Sequence, residues 1–337
     1  MTGKILVIQT AFLGDALLTL PLIQHIKSTH TNALIDVLCI PSTQDIFKHS
    51  PYVNQVIVYD KRRDKIFGLI KIINEIKKNR YQKIYSPHRS FRTAMIIYFS
   101  GVDETYGFDT ASLNLVYKNK IEYRKNSHEV ERNLSLVGFD NSDWRILPEL
   151  SIPKEALNKI DLIVNGINEK IIAIAPGSVW DTKIYPKEYY KEICRYLISK
   201  NFMVFLIGSK EDKSLCEEIL QSCPTGCFSL AGSLSIIESI AFLKKCSLLI
   251  CNDSAPTHMA MAADIPAITI YCSTISEFGF YPYNKKSLFL SYNELNCKPC
   301  GIHGHKKCPI KTFDCGFLLK PSRIIEKVDS ILTSEKN

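Results

Sequence analysis

The chain has 337 residues, enough for two domains of about 150 residues each. Apolar residues make up 46% and charged residues 23%, a balance that supports a buried core and excludes a disordered or fibrous chain. The net charge of +8 suits an anionic partner (nucleic acid, an acidic membrane face, a phosphorylated substrate) or an ordinary solvated face, and does not choose among them.

Lys4 and the apolar run behind it could pass for a signal peptide, but Asp15 interrupts the run and no small-x-small cleavage site follows. No uncharged apolar run reaches the roughly 18 residues of a membrane-spanning helix, so a soluble, cytosolic protein is expected. In the first half, strands are predicted at Lys4–Gln9, Leu34–Cys39, Gln55–Tyr59 and Lys83–Ser86. Helices are predicted at Asp15–Thr29, Thr43–His49, Lys65–Lys78 and Phe91–Ser100. Residues 107–150 yield a single helix candidate, His128–Val137. Ser151–Glu169 contains Pro153, lacks strand character and reads as a linker.

The pattern then restarts. Strands are predicted at Ile171–Ala175, Met203–Ile207, Ser247–Cys251 and Ala267–Tyr271. Helices are predicted at Lys187–Ser199, Asp212–Gln221, Ile236–Lys244 and Pro256–Ala263. A terminal helix, Ser322–Leu332, follows Pro321, and Ser334–Asn337 reads as a disordered tail. Alternation of this kind predicts an α/β chain with parallel sheets covered on both faces. The expectation is two Rossmann-like domains, residues 1–155 and 165–337, with an interdomain cleft.

Such sheets bind ligands where strands end and helices begin. The first of these loops leads to Leu13-Gly14-Asp15. It lacks G-x-G-x-x-G, which disfavours a nicotinamide enzyme. Asp15 reads as a helix N-cap or as a catalytic base; the two are compatible, because a helix N-terminus favours the ionised carboxylate. "APGSVWDTKIYP", residues 175–186, turns sharply after a strand. It reads either as a phosphate cradle, with backbone N–H groups, Ser178 and Lys183, or as a loop with one exposed lysine. In "LLICNDSAPTHMAMAADIP", residues 248–266, Asp253 and Ser254 can cap a helix that Pro256 opens. Thr257 and His258 are expected on its first turn, facing the same mouth.

Of twelve cysteines, Cys39, Cys194, Cys216, Cys223, Cys227, Cys246, Cys251 and Cys272 sit in apolar patterns and read as small core residues. Cys297, Cys300, Cys308 and Cys315 crowd into "CKPCGIHGHKKCPIKTFDC". They read either as a tetrathiolate zinc site or as free packing cysteines; the second half, Cys308-x₆-Cys315, departs from the tight second knuckle of ordinary zinc ribbons.

Taken together, "ILVIQTAFLGDALLTLPLIQHI", "PGSVWDTKIYP", "LIGSKED", "LAGSLSIIESIAFLKKCSLLICNDSAPTHMAMA" and "STISEFGFYP" resemble glycosyltransferase family nine, in its order and spacing. These are ADP-heptose:lipopolysaccharide heptosyltransferases of GT-B fold, and the resemblance is to the heptosyltransferase II branch. It implies an inverting transfer of heptose from ADP-L-glycero-β-D-manno-heptose to the lipopolysaccharide inner core, without metal or cofactor. By the same resemblance Asp15 is the general base and Lys183 neutralises the leaving diphosphate. Ser178, Asp253, Ser254, Thr257 and His258 match donor-binding positions, with Glu211 and Leu234 at the ribose and adenine. The anionic acceptor would meet Arg89 and Arg92 in "SPHRSFRTA", and then Arg62 and Arg63. Peripheral contact with the cytosolic face of the inner membrane is expected, and nucleic-acid binding is not. Ala255 stands where the family usually has glycine, and Cys272-Ser273-Thr274 where it has Gly-Pro-Thr; both bear on donor affinity. The alternatives are the same donor chemistry on a protein or another glycan, or a nucleotide-sugar-binding protein without turnover. Retention of both Asp15 and Lys183 argues against the second.

Overall fold

A computed structural model of the chain describes residues 3–63, 65–223 and 225–334. Asp64 of the basic run and residues 335–337 of the expected tail lie outside the described residues. The chain divides into two compact units, Met1–Ser151 and Ile152–Asn337.

The first unit carries β1 (Lys4–Ile8), α1 (Leu13–Thr29), β2 (Leu34–Cys39), α2 (Gln44–Lys48), β3 (Gln55–Val58), α3 (Lys65–Asn79) and β4 (Lys83–Ser86). Then come α4 (Phe91–Ser100), β5 (Glu104–Phe108), β6 (Asn119–Ile121) and α5 (Glu129–Ser135). All pairings are parallel, and the strand order is β3-β2-β1-β4-β5-β6. Leu6 and Ile8 of β1 and Ile84 of β4 anchor a core that α3 and α4 cover with Ile72, Ile76, Ile96 and Ile97. Helix α1 is buried continuously from Ala16 to Gln24, as its nearly all-apolar sequence requires.

The second unit carries α6 (Lys154–Ile163), β7 (Ile171–Ala175), α7 (Lys187–Ser199), β8 (Met203–Leu206), α8 (Lys213–Leu220), β9 (Cys227–Ser229) and α9 (Ile236–Leu243). It continues with β10 (Leu248–Asn252), α10 (Ala255–Ala263), β11 (Ala267–Tyr271), β12 (Leu288–Ser291), α11 (Asp314–Phe317) and α12 (Pro321–Ser334). Its sheet is again parallel, in the order β12-β11-β10-β7-β8-β9. Counted from the first strand of each unit, the two orders are the same. In both, the direction of winding reverses beside the first strand, between β1 and β4 and between β7 and β10. That reversal opens a crevice at the carboxyl ends of those strands.

Two expectations fail. Ser151–Glu169 is not a bare linker: Lys154–Ile163 is a helix of the second unit, packed on α9 and tied to it by Lys159 Nζ to Glu238 Oε1 at 3.0 Å. Pro153 at its N-cap position opens this helix rather than breaking it. Four short strands were also not anticipated: β5, β6, β9 and β12. β6, β9 and β12 lie at or beside sheet edges, where exposure dilutes the apolar pattern. Among the described residues, no helix is long and apolar enough to cross a membrane.

Candidate active site

In the first unit the crevice is formed by the chain leaving β1, β3 and β4 and by the start of α5. Asp15 stands in the first turn of α1, three residues after Phe12, which opens the helix. Its Oδ2 accepts the Phe12 N–H at 3.2 Å. Asp15 is therefore not the N-cap residue; it covers a free helix N–H from the third position, as a capping-box acid does. Burial and the nearby Glu129 carboxylate push its pKa up to about 7, against the opposing pull of the Phe12 N–H and the Arg89 guanidinium.

Glu129 opens α5, is almost fully buried, and pairs with the equally buried Arg132 at 2.8 Å. Burial raises the Glu129 pKa, with Arg132 and Arg89 opposing. The Arg132 and Arg89 guanidiniums both lie over the Tyr123 ring, 4.6 and 3.8 Å from its centroid. Glu129, Arg132 and Tyr123 were not singled out in the sequence. The helix candidate over His128–Val137 was the available signal, but nothing local indicates that its first turn faces Asp15.

After β4, His88 Nδ1 shares hydrogen bonds with the hydroxyls of Thr10 (2.8 Å) and Thr93 (3.2 Å). Burial, helped by Lys61 and Arg89, pushes its pKa down to about 4, so the ring is neutral. Lys61 donates to the Thr10 carbonyl at 2.9 Å, and its pKa is lowered by burial and by Arg92 and Arg62. A cavity of about 330 Å³ is lined by Thr10, Lys61, Ser90, Arg92 and Thr93, among others. Arg62 and Arg63 are exposed in the turn after β3, their N–H groups held by Asp60 Oδ1. Arg89 reaches Thr110 Oγ1 at 3.1 Å. Among the described residues, none of Arg62, Arg63, Arg89 and Arg92 is paired with a carboxylate. The fold thus gathers the Asp15 carboxyl and several cations that have no carboxylate partner among the described residues at one sheet end.

In the second unit the residues after β7 and β10 meet. Asn252, fully buried at the end of β10, holds them together. Its Nδ2 donates to the Pro176 and Gly177 carbonyls (2.7 and 3.3 Å), and its Oδ1 accepts from Tyr185 N–H (3.0 Å) and Tyr190 O–H (2.9 Å). The sequence reading passed over this residue; a polar side chain closing the buried run Leu248–Cys251 was the sign. Gly177 is needed for space, since a Cβ there would collide with the Asp212 carboxylate.

Lys183 closes a short 3₁₀ turn, Asp181–Lys183, and its ammonium lies 2.7 Å from Asp253 Oδ2 and 3.2 Å from the Asp253 carbonyl. Asp253 Oδ2 also accepts from Thr274 Oγ1 at 2.7 Å. Asp253 is thus occupied in holding Lys183 and does not cap α10. Ser254 occupies the N-cap position without a side-chain cap bond; its hydroxyl turns to the Asn252 carbonyl at 3.3 Å. Neither side chain caps the helix as expected; in its first turn Pro256 has no N–H, and the Thr257 N–H donates to the Ser254 carbonyl at 3.1 Å. Ser178 accepts the Trp180 N–H at 3.3 Å.

His258 is buried and its Nδ1 has no hydrogen-bond partner; burial pushes its pKa down to about 4, with Asp253 opposing and Lys183 reinforcing. Thr257 differs from expectation: its hydroxyl is turned into the core, 3.0 Å from Thr269 Oγ1. Glu211 and Leu234 stand on neighbouring loops, joined by Gly232 N–H to the Gly208 carbonyl at 2.9 Å. Glu211 is exposed, and its pKa is lowered by its own backbone N–H and by Ser209.

The eight cysteines assigned to the core are buried; Cys315 is buried too, Cys300 and Cys308 are half-buried, and Cys297 is exposed, all free thiols. Among the described residues, no three His, Cys, Asp or Glu side chains are gathered so as to hold a metal ion. The four C-terminal cysteines are therefore not a preformed tetrathiolate.

Residues 69–311 match the family described as glycosyltransferase family 9 (heptosyltransferase). Lipopolysaccharide heptosyltransferase 2 of Escherichia coli strain K12 is 23% identical over 360 residues, covering 99% of each chain. Lipopolysaccharide heptosyltransferase 1 of Campylobacter coli is 25% identical over 291 residues, 81% of this chain and 85% of that one. The solved structure of E. coli ADP-heptose LPS heptosyltransferase II has the same fold, with a TM-score of 0.81 at 21% identity, covering 99% of this chain and 100% of the other. With its two parallel sheets of identical winding and these relatives, the chain belongs to glycosyltransferase family 9, the heptosyltransferases, and is a glycosyl-transferring enzyme of GT-B fold.

Proposed function

We propose that the enzyme transfers heptose from ADP-L-glycero-β-D-manno-heptose to the inner core of lipopolysaccharide with inversion at the anomeric carbon. The observation that carries this reading is a matched pair of groups. A carboxyl poised near neutrality follows the first strand of one sheet, and a nearly buried lysine follows the first strand of the other. The substrate classes are those of the relatives, a lipopolysaccharide heptosyltransferase and an ADP-heptose LPS heptosyltransferase.

In the reaction the acceptor hydroxyl oxygen attacks the anomeric carbon from the face opposite ADP. Asp15 takes the hydroxyl proton as the new C–O bond forms. A base whose pKa lies near the working pH is best matched to that task, and such catalysis contributes about 10²–10⁴ in rate. The bond from the anomeric carbon to the β-phosphate oxygen breaks, and its electron pair leaves with ADP. Lys183, oriented by Asp253, offsets the charge appearing on the diphosphate, together with the positive end of the α10 dipole and Ser254. His258 offers a neutral ring nitrogen at the same place. Ser178 belongs to the loop that brings Lys183 there, while Glu211 and Leu234 receive the nucleoside. Thr257 acts by holding the helix start rather than by contact.

The acceptor's carboxylates and phosphates are read by Arg89 and Arg92, then by Arg62 and Arg63, none of which has a carboxylate partner to displace among the described residues. The exposed Ile66 and Phe67 of α3, 71% and 89% accessible, follow this basic turn and bring the first unit against an anionic inner-membrane surface.

The test is ADP release from ADP-heptose in the presence of heptose-deficient lipopolysaccharide. Wild type should release ADP only with acceptor present, and Asp15→Ala should bind donor but lose about 10²-fold or more in rate. Undiminished release by Asp15→Ala would refute the base assignment. Donor binding without any acceptor-dependent release would refute the acceptor.

A further inference from the structure

The cysteine-bearing segment has no part in the transfer chemistry just described, yet it lies against Lys183. Thr182, buried beside the lysine, makes three hydrogen bonds to one residue of that segment. Its hydroxyl accepts the His305 N–H at 2.7 Å and donates to the His305 carbonyl at 3.0 Å, and its own N–H donates to the same carbonyl at 3.1 Å. Lys306 Nζ reaches the Val179 carbonyl at 2.6 Å and Asp181 at 3.3 Å. The His303 and Trp180 rings stack at 19°, 6.1 Å between centroids.

The same segment grips the loop after β11. The Cys300 N–H donates to the Ser273 carbonyl at 2.9 Å. Gly304, at φ +76°, fits tightly: a Cβ there would lie 2.8 Å from Ser273 Oγ, 2.9 Å from Thr182 Oγ1 and 3.4 Å from Lys183 Cγ. Ser273 Oγ is itself buried and without a hydrogen-bond partner, as is His258 Nδ1. Two unpartnered polar atoms thus sit near the lysine that the segment holds, and each such atom costs free energy until a ligand or water meets it.

Lysine reaches its target through four flexible methylenes, so the backbone turn that carries it decides where the ammonium stands. We propose that residues 300–306 form a clamp that positions Lys183, and the loop carrying Ser273, for the diphosphate of a nucleoside-diphosphate donor. The clamp acts through Thr182 and Gly304, which touch no substrate; they are positioning residues. This inference rests on the reading of Lys183 as the diphosphate ligand.

The test is a binding cycle measured by calorimetry with ADP. Thr182→Val keeps the shape of the side chain and removes the hydroxyl that His305 uses; Gly304→Ala drives a methyl into the clamp. Each should weaken ADP binding about tenfold while the acceptor KM stays unchanged, and neither should weaken it further in a Lys183→Met background. Thr182→Val keeps the test open if Gly304→Ala fails to fold. Wild-type affinity in Thr182→Val, or an undiminished loss in the Lys183→Met background, would overturn the clamp. Wild type that ignores ADP but binds UDP or GDP would overturn the proposed donor alone, and the cycle would then be run with that nucleotide. Wild type that binds none of the three would overturn both.

Discussion

Asp15 shows how one carboxyl meets two demands. A helix start favours its ionised form, while burial and Glu129 favour the protonated one, and the second effect prevails with a pKa near 7. The linkage follows from the sign of this shift. Between about pH 4 and 7 the folded state holds more protons than the unfolded state, so this residue lowers stability as pH rises through that window. Asp15→Asn should therefore raise the unfolding temperature by a few degrees at pH 8 and have little effect at pH 5. Thermal unfolding at the two pH values checks this; equal shifts at both would show that the carboxyl carries no such penalty. None of this was legible in the sequence, where Asp15 is separated from Glu129 by more than a hundred residues. The sequence did mark the position, because a charged residue closing a buried apolar run is visible locally.

At the scale of elements, the legible parts were the strands buried on both faces. β1, β7, β10 and β11 are continuous apolar runs, and the loops behind the first three carry Asp15, Lys183 and Asp253. The short outer strands and α6 were not legible. Their patterns are polar on one side, and only docking onto neighbours makes them regular. The connection between β7 and β10 depends on Asn252, whose four hydrogen bonds to the Pro176–Tyr190 region are all buried. Asn252→Leu would leave Tyr190 O–H and three backbone groups, the Pro176 and Gly177 carbonyls and the Tyr185 N–H, without this partner. A loss of about 3 kcal/mol in chemical denaturation is expected, with the midpoint lowered and the m-value retained. A loss under about 0.5 kcal/mol would show that the loop holds itself.

At the scale of the whole molecule, both units are basic, and part of the positive charge of the first is concentrated at one end of its sheet. Arg62, Arg63, Arg89 and Arg92, without a carboxylate partner among the described residues, all belong to the first unit, which also carries the exposed apolar residues of α3. Vesicles with anionic headgroups should therefore bind the protein at low salt and release it as ionic strength rises past about 0.15 M. Phe67→Ser should weaken that binding severalfold in co-sedimentation without altering ADP affinity. Equal binding to neutral and anionic vesicles would remove the electrostatic part of this account. Composition carries only the net charge; it is the parallel order of β3, β2, β1 and β4 that brings these arginines to one sheet end.

Asp15 works as a base held near neutrality by its burial and, beyond that, by Glu129. The most direct test is the pH dependence of kcat/KM for acceptor-dependent ADP release, in wild type and in Glu129→Gln. An acid limb is expected in wild type with an apparent pKa near 7, below which the rate falls about tenfold per pH unit. In Glu129→Gln the limb should move to lower pH, because a like charge has been removed. A wild-type profile flat from pH 5 to 8, or a limb that Glu129→Gln leaves in place, would contradict it.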